Sequence, residues 1–336
     1  MQNNKVIRWG MVGCGAVTRL KSAPAYQQTE GFELAAVYGR TTSKVRAYAD
    51  EFGVPEVYLD AEQMMANDDI DAIYIATPPD SHMHYALMAA KFGKPCCIEK
   101  PLAPSLKECE QIVAAFEQAN LPLFVAYYRR SLPRFNQVKQ LLDTGAIGDV
   151  RHISWHLSKA ANEVDLKGLS NWRTDKTVAR GGYFDDLASH GLDLFGFLLG
   201  DYQQVSSVCT NQQGLYSAYD AISACWLHNN GVTGSGSWNF GCEGRFDDVV
   251  IYGQKGHIAF SVFDERAISV SCQGQGQEVK NFEIANPKHI QQFHVANMFE
   301  SLVKGKAHPS TGKTALHSAW VMEQILMSSC QNKQKD

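Results

Sequence analysis

An apolar run over residues 6–12, broken by Gly13-Cys14-Gly15 and followed by a helical stretch to about residue 29, constrains this chain more than any other feature. A strand that is apolar at nearly every position is one buried on both faces of a sheet. Gly13 lets the chain turn sharply after it, and Gly15 leaves the first N–H groups of the helix open to an anion. The alternation then continues. Residues 32–37, 70–76, 95–99 and 123–127 read as strands, with helices over 42–52, 81–92 and 105–119 between them. Gly53 reads as a left-handed helix cap, and Asp60 with Gln63 and Ser105 with Glu108 as capping boxes. This alternation predicts an α/β fold, a doubly wound parallel sheet with right-handed crossovers.

Beyond Tyr127 the pattern changes. A helix over 133–144 is followed by strand-like segments at 150–157, 205–210, 221–226, 232–240, 249–252, 257–262 and 268–271, separated by glycine-rich turns. Helices are expected at 183–199, 289–304 and 311–329. The 336 residues suit two domains at ~150 residues each. We expect a Rossmann domain over 1–125 and an α+β domain with an open, mainly antiparallel sheet over 126–336.

Composition narrows the partners. With 31 basic and 35 acidic side chains, the net charge of −4 offers no general field for nucleic acid or anionic lipid. No apolar stretch approaches the ~20 residues that a membrane helix needs. The first residues lack the basic start and apolar core of a signal peptide. Nine cysteines, with no CxxC pair, read as reduced thiols and point to the cytoplasm rather than to a metal cluster. Cys96 and Cys97 would face opposite sides of a strand.

The early Gly-x-Gly, closing the first strand of a βαβ unit, makes Gly13, Cys14, Gly15, Ala16 and Val17 candidates for binding a dinucleotide. Thr18 stands where a third glycine or alanine is usual. An NAD site wants a carboxylate at the end of the second strand, to bond the ribose 2′-hydroxyl. Here that end reads Val37-Tyr38-Gly39-Arg40-Thr41-Thr42-Ser43-Lys44. Arg40, with the hydroxyls of Thr41 and Ser43, suits a 2′-phosphate, so NADP is expected, with NAD as the alternative. The competing reading makes Arg40 a solvated cation at a helix entrance.

Two later segments add to this. Ile98-Glu99-Lys100-Pro101 ends the fifth strand, at the sheet edge where open α/β folds bind ligands. Ile75-Ala76-Thr77-Pro78-Pro79-Asp80-Ser81-His82 follows the fourth. In this order and spacing, with the glycine turn, they resemble the Gfo/Idh/MocA oxidoreductases, the glucose-fructose oxidoreductase and inositol dehydrogenase group. The resemblance runs over essentially the whole chain. The segment Gly181-Gly182-Tyr183-Phe184-Asp185-Asp186-Leu187-Ala188-Ser189-His190-Gly191-Leu192-Asp193 resembles the family's glycine-led helix. Asp186, His190 and Asp193 share one helix face by spacing. A capping and salt-bridging face, or a shared ion, are the other readings of it; Lys100 supplies the positive charge a metal would bring, so no metal is expected.

The resemblance implies that Lys100, Asp186 and His190 surround the reacting carbon of an alcohol or ketone. Histidine can exchange the hydroxyl proton near neutrality. Lysine can stabilise developing alkoxide character, and Asp186 can bind a neighbouring hydroxyl or orient the imidazole. Thr77, Pro78, His82 and Glu99 are implied on the cofactor side, although His82 could equally cap its helix. Tyr128, in Tyr127-Tyr128-Arg129-Arg130, replaces the family's usual asparagine. Trp172 and Arg173 resemble a pair that reaches the active site, Arg173 toward cofactor or substrate. The implied activity is an NAD(P)-dependent dehydrogenase or reductase of a sugar, inositol, anhydro-sugar or dihydrodiol. A dinucleotide-binding sensor, and a glycosidase that oxidises its sugar transiently, are the alternatives. Trp238 and Phe240, on one face of their strand, suggest sheet-on-sheet packing, and the resemblance implies a homodimer or homotetramer.

Overall fold

The first strand, β1 (Ile7–Val12), lies at the middle of a six-stranded parallel sheet. The other strands are β2 (Phe32–Tyr38), β3 (Glu56–Tyr58), β4 (Ala72–Ile75), β5 (Cys96–Ile98) and β6 (Leu123–Val125), in the order β3-β2-β1-β4-β5-β6. The order reverses between β1 and β4, which opens a crevice at the carboxyl ends of those strands. The computed structural model describes residues 6–169, 171–272 and 279–331.

Connecting helices are α1 (Ala23–Gln28), α2 (Thr42–Phe52), α3 (Ala61–Ala66), α4 (His82–Lys91) and α5 (Leu106–Gln118). Before α1 the chain runs through a wide π-helical turn, Thr18–Ser22. Pro24 accounts for it: with no N–H to give to the carbonyl four residues back, it disfavours a regular α-helical turn there. Ser105 and Glu108 form the expected capping box, whereas Asp60 caps α3 through the N–H of Glu62 and Gln63 takes no part in its cap. Gly53 ends α2 at φ +62°, the expected left-handed cap. Trp9, Tyr26, Phe32 and Tyr74 stack at the heart of this layer, with Trp9 edge-on to Tyr26 at 4.9 Å.

The second sheet has eight strands: β7 (Val150–Ser158), β8 (Tyr202–Thr210), β9 (Ala221–His228), β10 (Thr233–Asn239), β11 (Phe246–Gly253), β12 (Gly256–Phe260), β13 (Ile268–Cys272) and β14 (Val279–Phe282). They run in the order β14-β13-β12-β11-β7-β10-β9-β8, antiparallel except for β7 beside β10. Helices α6 (Pro133–Asp143), α7 (Glu163–Leu166) and α8 (Tyr183–Leu199) interrupt it, and α9 (Gln292–Lys304) and α10 (Gly312–Gln331) close the chain. Two strands escaped the sequence reading: β3 is only three residues, and β14 is mostly polar and exposed.

Helix α8 covers one face of this sheet. Phe184 meets Trp238 at 4.9 Å, Trp155 meets Trp238 at 5.6 Å, and a Cβ on Gly191 would fall 2.4 Å from the Trp155 ring. Gly191 is thus what lets the helix settle on the sheet beside His190. Trp238 and Phe240 are 0% and 1% exposed, filled from within by α8 and its neighbours. They are not available for packing against a second sheet, because the helix has taken their face.

Two compact units emerge, each from two stretches of chain. One comprises Met1–Leu132 and Asn286–Leu316, the other Pro133–Ala285 and His317–Asp336. The sequence expectation drew a single boundary near residue 125; the return of α9 to the first unit depends on contacts such as Phe32 with Phe299, 5.6 Å apart, that no local pattern encodes. No described helix is long and apolar enough to cross a membrane.

Candidate active site

In the first unit a cleft opens at the β1–β4 crevice, lined by Gly13, Cys14, Gly15, Tyr38, Gly39, Arg40, Thr41, Lys44, Ala76, Thr77, Pro78, Ser81 and Tyr85. Gly13 has φ +102°, and a Cβ there would stand 2.7 Å from the Ala76 carbonyl oxygen. Its N–H is held by the Tyr38 carbonyl at 2.8 Å. At Gly15, by contrast, a Cβ would meet nothing within 4 Å. The bare backbone of Gly15 therefore faces open space at the head of a helix, the arrangement a pyrophosphate requires. Thr18, the departure from the usual small residue, is fully buried and gives its hydroxyl to the Gly15 carbonyl at 2.8 Å, so it braces the turn. Ala16 and Val17 are exposed in the first helical turn and do not line the cleft.

No carboxylate lines this cleft; Arg40 and Lys44 are its cations. Lys44 sits one turn after Arg40, a spacing that could have flagged it in the sequence. Tyr38 and Tyr85 meet edge-on at 6.0 Å. Burial, and then the Tyr38 hydroxyl, hold the Tyr85 phenol up at about 12, so it stays neutral. Burial also raises the Cys14 thiol, against the pull of Arg19 and Lys44. The residues present thus fit a dinucleotide.

Beside the cleft, Thr77 and Pro78 line its wall, and the Ser81 hydroxyl bonds the Thr77 hydroxyl at 2.8 Å. His82 lies elsewhere than expected. It is 0% exposed, beneath the cleft, with Nε2 2.9 Å from the Thr77 carbonyl and Nδ1 3.0 Å from the Pro101 carbonyl. Burial lowers its pKa, while those carbonyls and Glu99 pull the other way. Glu99 is also buried: it accepts from the Tyr74 hydroxyl and from Gln291, each at 2.6 Å, and from the Lys100 N–H at 3.2 Å. It anchors the strand end and is not among the residues lining the cleft. Lys100 is half-buried at the cis bond to Pro101. Tyr128 is buried with Arg129 and Lys21 over its ring at 5.1 and 6.0 Å. Burial pushes its phenol up, but Arg129, Lys21 and Lys100 together bring it below the usual tyrosine value.

In the second unit Gly182 opens α8 at φ +64°, where a Cβ would stand 2.8 Å from the Tyr219 carbonyl. Asp185 reaches back to the Gly181 N–H at 2.9 Å, and burial raises its carboxyl to about 7. One position on, Asp186 accepts from Arg173 Nε at 3.1 Å, a half-exposed ion pair. Arg173 is therefore a partner of Asp186, which the sequence reading did not foresee. His190 is 5% exposed, edge-on to the Phe263 ring at 6.0 Å. Asp193 is buried and accepts from the Ser318 hydroxyl at 2.8 Å, a bond that fastens α10. Behind Arg173, the Tyr183 hydroxyl contacts Asp165, Asn162 and Asn171, and the Lys159 ammonium sits 4.2 Å from the Tyr183 ring. No sequence spacing marked that cluster, because its members come from four separate segments. Trp172 starts the short turn Trp172–Thr174, but its side chain lies outside the described residues. Among the described residues no three His, Cys, Asp or Glu side chains gather as a metal site would require.

Comparison with known proteins agrees with this architecture. Residues 7–127 match the family described as "Oxidoreductase family, NAD-binding Rossmann fold", and residues 135–259 match the "GFO/IDH/MocA C-terminal domain". The chain is 34% identical to Oxidoreductase P35 of Formosa agariphila over 94% of its length and 97% of that protein. It is 24% identical to the scyllo-inositol 2-dehydrogenase (NADP(+)) of Bacillus subtilis, over 95% and 96% of the two chains. The fold superposes on levoglucosan dehydrogenase, solved with NADH and levoglucosan, at a TM-score of 0.85 with 20% identity, covering 97% of each chain. The glycine turn, the Glu-Lys-Pro strand end and both matched domains make this chain a member of the Gfo/Idh/MocA oxidoreductases, an NAD(P)-dependent dehydrogenase or reductase.

Proposed function

We propose that this enzyme interconverts a secondary alcohol and a ketone on a polyhydroxylated small molecule, a sugar, inositol, anhydro-sugar or dihydrodiol, with NADP preferred over NAD. The observation that carries the cofactor choice is the cleft lining, which offers Arg40 and Lys44 and no carboxylate. A ribose 2′-phosphate would meet cations there, whereas a 2′-hydroxyl would lack its usual carboxylate acceptor. The names of the inositol and levoglucosan relatives support the substrate class.

NADP, when bound, accepts or supplies the hydride. Gly13, Cys14, Gly15, Thr77 and Pro78 shape its seat, with Arg40 and Thr41 at the ribose phosphate. Lys100 donates a hydrogen bond to the reacting oxygen and stabilises its partial negative charge. His190 takes the hydroxyl proton in oxidation and returns it in reduction. Asp186, already held by Arg173, binds a neighbouring hydroxyl. Tyr128 and Trp172 are further substrate-side candidates. We also infer a homo-oligomer, supported by exposed Val208, Phe246 and Tyr252 on strands of the second sheet, and a reducing, cytoplasmic setting, supported by free thiols with no disulfide among the described residues.

Steady-state rates on a panel of scyllo-inositol, levoglucosan and 1,5-anhydro-D-fructose, with either dinucleotide, test this reading. Lys100→Met and His190→Ala should each lower kcat by roughly 100-fold or more, within the range of general acid–base and electrostatic contributions. Near-normal turnover in either variant would remove that residue from the chemistry. Turnover without net dinucleotide reduction would favour transient oxidation instead. A monomer in light scattering would refute the oligomer.

A further inference from the structure

We propose that His82 is a positioning residue that braces the turn lining the dinucleotide cleft through one ring nitrogen and the turn carrying Lys100 through the other. The proposal rests on the role given to Lys100 above. Its basis is the way the two ring nitrogens are spent. Nε2 lies 2.9 Å from the carbonyl of Thr77, a residue of the cleft wall. Nδ1 lies 3.0 Å from the carbonyl of Pro101, the residue after Lys100, with the Leu102 carbonyl at 3.3 Å.

Carbonyl oxygens only accept, so each contact is a hydrogen bond only when the ring nitrogen facing it carries a proton. A neutral ring donates from one nitrogen and sets a lone pair against the other carbonyl; the imidazolium donates from both. The ring therefore bonds both turns at once only as the imidazolium, the form that the Thr77 and Pro101 carbonyls favour and burial opposes, and it is 0% exposed. A buried polar ring is costly where an apolar side chain would pack as well. Its contacts go to just these two turns, beside the cofactor wall and beside the lysine. The other side of the lysine's strand end is already fixed, because Glu99 is held by Tyr74 and Gln291. His82 meets the Lys100–Pro101 turn from the other side, through the Pro101 carbonyl.

Two isosteric substitutions separate the bonds. An asparagine amide nitrogen falls near Nδ1, and a glutamine amide nitrogen near Nε2. His82→Asn keeps the Pro101 bond and loses the Thr77 bond; His82→Gln does the reverse. The lost bond should move its own parameter about 10-fold, the scale of one buried hydrogen bond. His82→Asn should weaken NADP binding, read as Kd by tryptophan fluorescence, and leave kcat within about 3-fold. His82→Gln should lower kcat on the best substrate of the panel and leave the NADP Kd within about 3-fold. Parallel changes in both parameters in both variants, or none, would overturn the proposal, since a residue that only supports folding moves them together.

A measurement on the unmodified enzyme guards against misfolded variants. With labelled histidine, the His82 ring nitrogen signals should shift when NADP is added, in the wild type and in Lys100→Met alike. Unmoved signals at saturating NADP would also overturn the proposal. If the wild type turned over no member of the panel, the reading of Lys100 would fall while these signals and the NADP Kd would still report on the bracing of the cofactor wall.

Discussion

Gly13 and Gly15 are two residues apart, yet the same substitution at each should fail in a different way. At Gly13 an alanine must hold φ near +102°, which costs a non-glycine residue about 1–3 kcal/mol. Its Cβ would also press to 2.7 Å on the Ala76 carbonyl oxygen and 2.9 Å on its carbon. That carbonyl is backbone at the end of β4, whose N–H is tied to the Val12 carbonyl, so it cannot swing away cheaply. Together we expect about 2–4 kcal/mol, of the order found for strained or overpacked substitutions. For a unit of this size that is a fall of about 5–12 °C in Tm. At Gly15 no atom lies within 4 Å of the new Cβ and the backbone needs no left-handed angle. Stability should hold, or rise by a few tenths of a kcal/mol as the unfolded chain loses freedom. The same methyl, however, would stand where the pyrophosphate must approach, and NADP affinity should fall at least about 10-fold, as for a lost set of charge-assisted backbone bonds. Thermal melts with and without NADP, beside a fluorescence titration, read both quantities. If Gly15→Ala bound NADP like the wild type, the pyrophosphate would not lie against this turn, and the cleft would have been assigned to the wrong ligand.

Further outcomes follow from the same geometry. Arg40→Ala should raise the Kd for NADP about 5- to 30-fold, one charge-assisted contact at an exposed site, and leave NAD within about 2-fold; equal loss for both would make Arg40 a mere surface cation. Asp185, whose folded pKa near 7 lies above its unfolded value, favours the folded state fully below about pH 4 and loses that advantage as pH rises through 7. Asp185→Asn should therefore flatten the stability profile between those limits and stabilise the protein at pH 8, by about 1–2 kcal/mol because the residue keeps some solvent contact; an unchanged slope in urea unfolding would refute it. Asp247 is fully buried, accepting from Trp155 at 2.9 Å and from the Phe263 N–H at 2.6 Å. Asp247→Ala would strand both donors and should cost about 2–4 kcal/mol in denaturant unfolding, and it would loosen Phe263, whose ring stands against His190.

What could be read without coordinates was whatever is local and periodic. The buried strand and its glycine turn, the capping box at Ser105, the helix over Tyr183–Leu199 and the Glu-Lys-Pro strand end all stand as expected, because spacing along the chain fixes the face a side chain occupies. The three-residue β3 was lost for the opposite reason: it exists only because β2 offers an edge to pair with. Likewise Trp238 looked like a docking residue from its strand alternation, and only the helix lying over it showed that its face was already used. His82 could be taken for a cofactor contact until two carbonyls from separate turns were found at its ring nitrogens. That Arg173, expected at cofactor or substrate, also pairs with Asp186 at 3.1 Å was not legible in the sequence.

The amino-acid order by itself determined the class of fold, the place of the dinucleotide turn and the residue types available for chemistry, since these depend on neighbours within a turn or a strand. The tertiary structure alone decided which of those residues face open space and which are consumed in holding others, because burial and hydrogen-bond partners come from segments far apart in the chain.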